Sequence, residues 1–88
     1  MRNQLEAWMA SVERETDGKM RLTITIDRDG IRTRVHTLHD RKSLAHDQMT
    51  TWKEFDADTR HCEARIGNSI EHIRREMEWL DDAPACNR

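Results

Sequence analysis

The side chains best suited to chemistry are five histidines and two cysteines in a chain of 88 residues. A zinc site needs several such ligands to converge, and His36-x-x-His39 followed by His61-Cys62 is the spacing that comes nearest. However, the chain has no Cys-x-x-Cys pair, and adjacent residues of a helix point about 100° apart. Cys62 also fits an apolar helical stripe, where a thiol packs as a small hydrophobic group. We therefore expect no bound metal and no other cofactor.

The remaining residues do not indicate a catalytic role. His61 lies beside Cys62, but neighbouring helical side chains rarely reach the same substrate atom. The sequence has no glycine-rich phosphate loop and no nucleophile elbow, and we interpret Asp56 and Asp58 as charges on a helix surface. We expect that this protein is not an enzyme.

Positive charge is concentrated on one predicted hairpin, Met20 to His39. Residues 19–42 hold 7 basic and 3 acidic side chains, although the formal charge of the whole chain is −2. The candidate contact residues on one face of this hairpin are Arg21, Asp27, Arg32, Arg34 and His36. This face is either a solvated surface with one Asp27–Arg32 ion pair or a recognition surface for an acidic protein or a phosphate backbone. Arginine suits both ligands, because its planar fork binds carboxylate and phosphate alike.

Trp79 is a further candidate for partner binding. It lies off the apolar stripe that Ile73 and Met77 continue. It therefore either flanks the core or serves as an exposed aromatic anchor for a partner. Trp8 and Trp52 lie on apolar stripes, and we expect both in the core.

Two signals predict the hairpin. Apolar and polar residues alternate from Met20 to Asp27, as in a strand with one buried face. Asp29-Gly30 is typical of a two-residue type I′ turn, in which both residues have positive φ. The register that this turn sets pairs Ile26 with Thr33, Ile24 with Val35, Leu22 with Thr37, Asp27 with Arg32, Thr25 with Arg34 and Thr23 with His36. Apolar residues then share one face and charged residues the other.

A helix is predicted from Asn3 to Thr16. Its apolar residues follow the i, i+3, i+4, i+7 spacing, and Asn3 with Glu6 matches a capping box. Asp17-Gly18 should end it. We expect this helix to cover the apolar face of the hairpin.

The segment after the hairpin has two interpretations. Ser43 to Met49 fits a third strand and the start of a helix equally well. Thr51 with Glu54 matches a second capping box, and helical apolar spacing follows it. We expect two helices broken near Gly67, with one long coiled-coil-like helix as the alternative.

Size and composition predict one small domain. A chain of this length buries about 60–65% of its unfolded surface, and 36% of the residues are charged. We predict a single α+β domain over residues 1–83 and a disordered tail over residues 84–88. Its N-terminal helix and antiparallel β-hairpin, with or without a third strand, would pack against two C-terminal helices or one long broken helix. No signal peptide and no apolar run of membrane length is evident, which favours a reduced cytosolic environment.

The run RIGNSIEHIRRE from Arg65 resembles the C-terminal helix of small phage anti-CRISPR proteins that bind a type I surveillance complex. Arg34-Val35, followed after six residues by Lys42-Ser43, is similar as well. The resemblance implies an antiparallel sheet on two helices, no enzymatic activity, and a sheet face that docks on the Cas subunits holding the guide RNA. It also favours the third strand. Its contact residues do not carry over, since Asp27 and His36 stand where a tyrosine and a glutamate are expected.

Three functional hypotheses follow. The first is a non-catalytic phage protein that inhibits a host CRISPR-Cas complex in the host cytoplasm by binding its Cas subunits through the outer hairpin face. The second is a small nucleic-acid-associated regulator, with Arg32, Arg34, Arg41 and Lys42 on phosphates. The third is a structural homodimer whose helix stripe pairs with that of its twin. None of them involves a membrane.

Overall fold

A three-stranded antiparallel sheet carries helices on one of its faces, which confirms the predicted α+β class. The computed structural model describes residues 2–38 and 43–82, with side chains through residue 78 in the last helix. The elements are α1 (Arg2–Glu15), β1 (Met20–Ile26), β2 (Gly30–Thr37), β3 (Ala45–Thr51), α2 (Trp52–Ala57) and α3 (Arg60–Asp82). The predicted disordered tail, residues 84–88, lies outside the described residues. Within the described ranges, no helix has the length and apolarity needed to cross a membrane.

The core lies between the sheet and the helices. α1 packs on β1, whereas α3 packs on β2 and β3. The buried apolar side chains form one cluster: Trp8, Val12, Met20, Leu22, Ile31, Val35, Phe55, Cys62, Ile66, Ile70 and Ile73. Trp52 packs against this cluster and donates its indole N–H to the carbonyl of Asp27 at 2.9 Å. Because side chains alternate along each strand, this packing covers one face of the sheet, and no helix of the described residues packs on the other face.

The predicted hairpin forms, but its register was predicted wrongly by two residues. Leu22 lies opposite Val35 rather than Thr37, and Ile24 lies opposite Thr33 rather than Val35. A shift of two residues keeps every side chain on its predicted face, because strand side chains alternate with a period of two.

The side chain of Asp27 builds the turn, in place of the predicted type I′ loop. The loop residues are Arg28 and Asp29, and neither has a positive φ. The Asp27 carboxylate accepts hydrogen bonds from the amides of Asp29 (2.8 Å) and Gly30 (3.2 Å), as turn aspartates commonly do. Gly30 is required by a close approach, since a Cβ there would lie 2.1 Å from the carbonyl oxygen of Thr50 on β3.

The third strand resolves the two interpretations of Ser43 to Met49. β3 spans Ala45–Thr51 and pairs with β2 in antiparallel fashion. Thr51 ends the strand and caps α2: its hydroxyl accepts from the amide of Glu54, and the Glu54 carboxylate accepts from the amide of Thr51. This confirms the second predicted capping box.

The break between the C-terminal helices lies at Asp58 and Thr59, and not near Gly67 as predicted. The Asp58 carboxylate accepts from the amide of Arg60 at 2.9 Å, so Asp58 stabilises the start of α3 and is more than a helix-surface charge. α3 continues through Gly67. A glycine inside a helix costs about 1 kcal/mol relative to alanine, which the buried stripe of α3 outweighs.

α1 begins one residue earlier than predicted, at Arg2. Asn3 therefore lies inside the helix, and the predicted Asn3–Glu6 capping box is wrong because Asn3 is not at the cap position. The Glu6 carboxylate accepts instead from Arg2 Nε at 3.2 Å. The predicted end at Asp17-Gly18 is confirmed, since both residues have positive φ and cannot continue a helix.

Candidate contact surface on the sheet

The uncovered face of the sheet, called the outer face below, carries most of the predicted contact residues. Its side chains form three rows across the strands: Thr25, Arg32 and Met49; Thr23, Arg34 and Asp47; Arg21, His36 and Ala45. A shallow depression of about 470 Å³ crosses the first two rows and is open to solvent. The structure therefore brings Arg21, Arg32, Arg34 and His36 together, as predicted.

Arg34 lies at the centre of the outer face and pairs with Asp47. Arg34 Nε donates to Asp47 Oδ1 at 2.7 Å, and Nη2 donates to Oδ2 at 3.4 Å. This hydrogen bond lowers the pKa of Asp47 and raises the pKa of Arg34. The sequence analysis missed Asp47, because Asp47 lies opposite Arg34 only if residues 43–49 form a strand.

Arg32 pairs with Asp27 at the hairpin end of the outer face. Arg32 Nε donates to Asp27 Oδ2 at 2.9 Å, so the predicted ion pair is present. Asp27 precedes the loop and is bonded to Gly30, and the residue opposite Arg32 is Thr25. The hydrogen bond from Arg32, followed by that from the Asp29 amide, holds the pKa of Asp27 below its usual value.

Arg21 and His36 complete the outer face at its other end. Arg21 Nε lies 3.8 Å from Glu13 Oε1 of α1. His36 Nε2 shares a 3.3 Å hydrogen bond with the Thr23 hydroxyl. Each of the three arginines thus has its own carboxylate, where the sequence analysis predicted one ion pair. The outer face is a pattern of paired charges rather than a uniformly basic surface.

Trp79 is on α3, its side chain lies outside the described part of the structure, and its role as a partner anchor stays a prediction. The residue lies near the C-terminal end of α3, and α3 packs on the covered face of the sheet. A partner that binds the outer face would approach from the opposite side.

Of the residues in the zinc-like spacing, those that the structure describes lie apart. His36 is on the outer face, whereas His61 is exposed on α3 beside the fully buried Cys62. Burial raises the pKa of the Cys62 thiol, which is typical of an unreactive structural cysteine. Within residues 2–38 and 43–82, no group of three or more histidine, cysteine or acidic residues could hold a metal ion. His39 lies outside the described residues.

Two further histidines join α3 to β3. The rings of His46 and His72 stack with centroids 4.2 Å apart and an angle of 29° between their planes. His46 Nδ1 shares a 2.8 Å hydrogen bond with the buried hydroxyl of Ser69, and His72 Nε2 shares one of 2.9 Å with Glu76. These contacts give both histidines a structural role.

Comparisons with known proteins add nothing to the description of the outer face. The chain matches no protein-family model, no curated protein and no solved structure. The face offers exposed, charge-paired and hydrogen-bonding side chains, which are groups that protein interfaces commonly use.

Proposed function

We propose that this protein is a non-catalytic binding protein that docks on a larger protein through the outer face of its sheet. The observation that carries the proposal is the one-sided arrangement of the helices, which leaves nine outer-face side chains uncovered. Three arginine–carboxylate pairs hold charged groups in defined positions on this face. Fixed charges of both signs give specificity to a protein interface.

The charge pairing favours a protein partner over a nucleic acid. A phosphate backbone offers one sign of charge, so it would have to displace Asp47 and Asp27 from their arginines. A protein surface can offer a carboxylate to an arginine and a cation to the neighbouring aspartate at the same time. Arg41 and Lys42, the other basic residues of the nucleic-acid hypothesis, lie outside the described residues.

A type I CRISPR-Cas surveillance complex is the partner that the resemblance implies, and we include it in the proposal. The protein would then be a phage-encoded inhibitor that binds Cas subunits in the host cytoplasm. In the run that carries the resemblance, Ile66, Ser69, Ile70 and Ile73 are buried against the sheet. The similarity therefore concerns packing positions of the helix, and the contacts would come from this chain's own outer face.

Co-purification with a reconstituted type I surveillance complex tests the proposal. Wild-type protein should elute with the complex in size-exclusion chromatography. Arg34→Glu should weaken binding by about tenfold or more, since it places two carboxylates face to face at the centre of the surface. Arg14→Glu, an exposed change on α1, is the matched control and should bind like the wild type. Binding of Arg34→Glu at wild-type affinity would remove the outer face from the proposal.

A further inference from the structure

At the free edge of β1, backbone groups point away from β2, and no other strand of the described residues pairs with them. The backbone bonds that flank the strand run from Leu38 N–H to the carbonyl of Lys19 at 2.8 Å and from Asp27 N–H to the carbonyl of Gly30 at 3.0 Å. In an antiparallel pair, every second residue directs its N–H and C=O groups toward the partner strand. Lys19 and Asp27 both bond to the β2 side, so the backbone groups of the odd-numbered residues of β1 point toward β2. The residues whose amides and carbonyls face the free edge are Met20, Leu22, Ile24 and Ile26.

The protein protects other edge positions but leaves most of this edge open. The Thr16 hydroxyl accepts from the amide of Met20 at 3.1 Å. At the opposite edge of the sheet, Arg65 Nη1 donates to the carbonyl of Met49 at 2.9 Å. Among the described residues, no side chain covers the backbone of β1 beyond Met20 in this way. Open strand edges are templates for pairing with another chain.

Apolar side chains line the same edge. Ile26 is 50% exposed, and Leu5 and Met9 of α1 are only partly buried. Leu5, Met9 and Glu13 are four residues apart and therefore lie on one stripe of the helix. Glu13 reaches Arg21 of β1 at 3.8 Å, which places this stripe above the open edge.

Two carboxylates flank the apolar stripe. The Glu6 and Glu13 side chains are 57% and 53% exposed. Their arginine partners are exposed as well, so both carboxylates are accessible to an incoming cation. The edge therefore combines open hydrogen-bonding groups, incompletely buried apolar side chains and negative charge.

A second copy of this chain does not fit the edge. Pairing two β1 strands would place two α1 helices over adjacent strands, about 4.8 Å apart, whereas packed helices need about 8–10 Å between their axes. An extended peptide carries no helix, and its inward side chains would lie beneath α1. We infer that the edge of β1 binds an extended segment of a partner protein, with alternating apolar residues and flanking basic residues. This surface is distinct from the outer face and does not depend on its proposed role.

Amide hydrogen exchange with a synthetic peptide tests the inference. The probe is a ten-residue peptide of alternating valine and threonine with a lysine at each end. Its binding should slow exchange of the Leu22, Ile24 and Ile26 amides by about tenfold or more. The Thr23 and Thr25 amides, already bonded to β2, should change little. The same peptide with every amide nitrogen methylated should give no protection, because it cannot donate to the strand from either of its edges.

Two protein variants separate edge binding from other modes. Ile26→Lys should weaken peptide binding at least about tenfold, because it removes the exposed apolar group and repels the lysines of the probe. Asn68→Lys, which adds the same charge at an exposed position of α3, should bind as the wild type does. No protection at millimolar peptide, protection centred on the outer-face amides of β2, or equal binding by the N-methylated peptide would overturn the inference. So would protection that rises with protein concentration when the peptide is absent, since that result indicates self-association.

Discussion

Arg65 joins three elements of the fold at one point. Its guanidinium donates to the carbonyl of Met49 at 2.9 Å, to the hydroxyl of Thr50 at 3.2 Å, and to both carboxylate oxygens of Glu54. The hydrogen bond from Arg65, with that from the Thr51 amide, lowers the pKa of Glu54 to about 2. The sequence predicted the capping role of Glu54 but not this contact, because Arg65 lies on a different helix and its direction depends on the packing of α3.

The stability of the protein should depend on pH through Glu54. The pKa of this carboxyl falls from the ordinary value of 4.5 to about 2 in the folded protein. The contribution is therefore fully present above about pH 4.5 and is lost as the pH falls toward 2. Urea unfolding at pH 6 and pH 3 should show a larger loss for the wild type than for Glu54→Gln. Glu78→Gln, an exposed change on α3, should keep the wild-type pH dependence. Identical profiles for Glu54→Gln and the wild type would refute this role.

Two glycine-to-alanine changes should have opposite effects. A Cβ at Gly30 would meet the Thr50 carbonyl oxygen at 2.1 Å, whereas a Cβ at Gly67 would meet nothing within 4 Å. Gly30→Ala should destabilise the fold by about 3 kcal/mol, at the upper end of the range for overpacking. Gly67→Ala should stabilise α3 by about 1 kcal/mol. Chemical denaturation of both variants checks the signs, and stabilisation by Gly30→Ala would contradict the close approach of β2 and β3.

At the level of elements, hydrophobic alternation predicted β1, β2 and their two faces. The register could not be predicted from Asp29-Gly30, because Asp27 supplies side-chain bonds that make a different loop. β3 was ambiguous because its inward residues include His46 and Gln48 rather than an apolar series. The contacts of His46 and Gln48 are known only once the segment has been placed beside β2. The local sequence of the segment alone therefore does not predict a strand.

The helix break was misplaced for a related reason. Gly67 is only a weak signal for the end of a helix, and the long buried apolar stripe of α3 outweighs it. Asp58 acts as a cap for α3, but in the sequence it looks like any other surface aspartate. The apolar stripe of α3, which the homodimer hypothesis assigned to a second copy, is buried at Cys62, Ile66 and Ile70. A homodimer would therefore have to use a surface other than this stripe.

The contact between α3 and β3 should depend on Ser69. Its side chain is fully buried and bonds to His46 Nδ1 at 2.8 Å. Ser69→Ala leaves the ring nitrogen without this partner and should destabilise the protein by about 1–2 kcal/mol. Asn68→Ala, one residue away and exposed, should change stability by less than about 0.5 kcal/mol. Thermal unfolding of the two variants distinguishes them, and equal effects would show that the hydrogen bond adds nothing to the docking of α3.

At the scale of the whole molecule, the helices occupy one side of the sheet and the paired charges occupy the other. The sequence predicted the basic hairpin. It did not predict that carboxylates pair with the arginines of the hairpin, because Glu13 and Asp47 come from α1 and β3. Local charge counts therefore overstated the positive character of the surface. The paired charges support the protein partner proposed above over the nucleic-acid alternative.

Because the outer-face charges are paired, we expect the protein not to bind plain nucleic acid. Wild-type protein should show no measurable affinity for random double-stranded DNA or RNA at physiological salt, since its outer-face arginines already have carboxylate partners. Fluorescence anisotropy over a salt series measures this. Tight binding with a steep salt dependence would favour the nucleic-acid hypothesis instead.

Reversing the central ion pair tests the proposed contact surface most directly. Arg34→Glu combined with Asp47→Arg keeps an opposite-charge pair across β2 and β3 while exchanging the positions of the two charges. The double variant should unfold at the wild-type denaturant concentration, yet its affinity for the surveillance complex should fall by about tenfold or more. If this variant binds as tightly as the wild type, the outer face is not the contact surface.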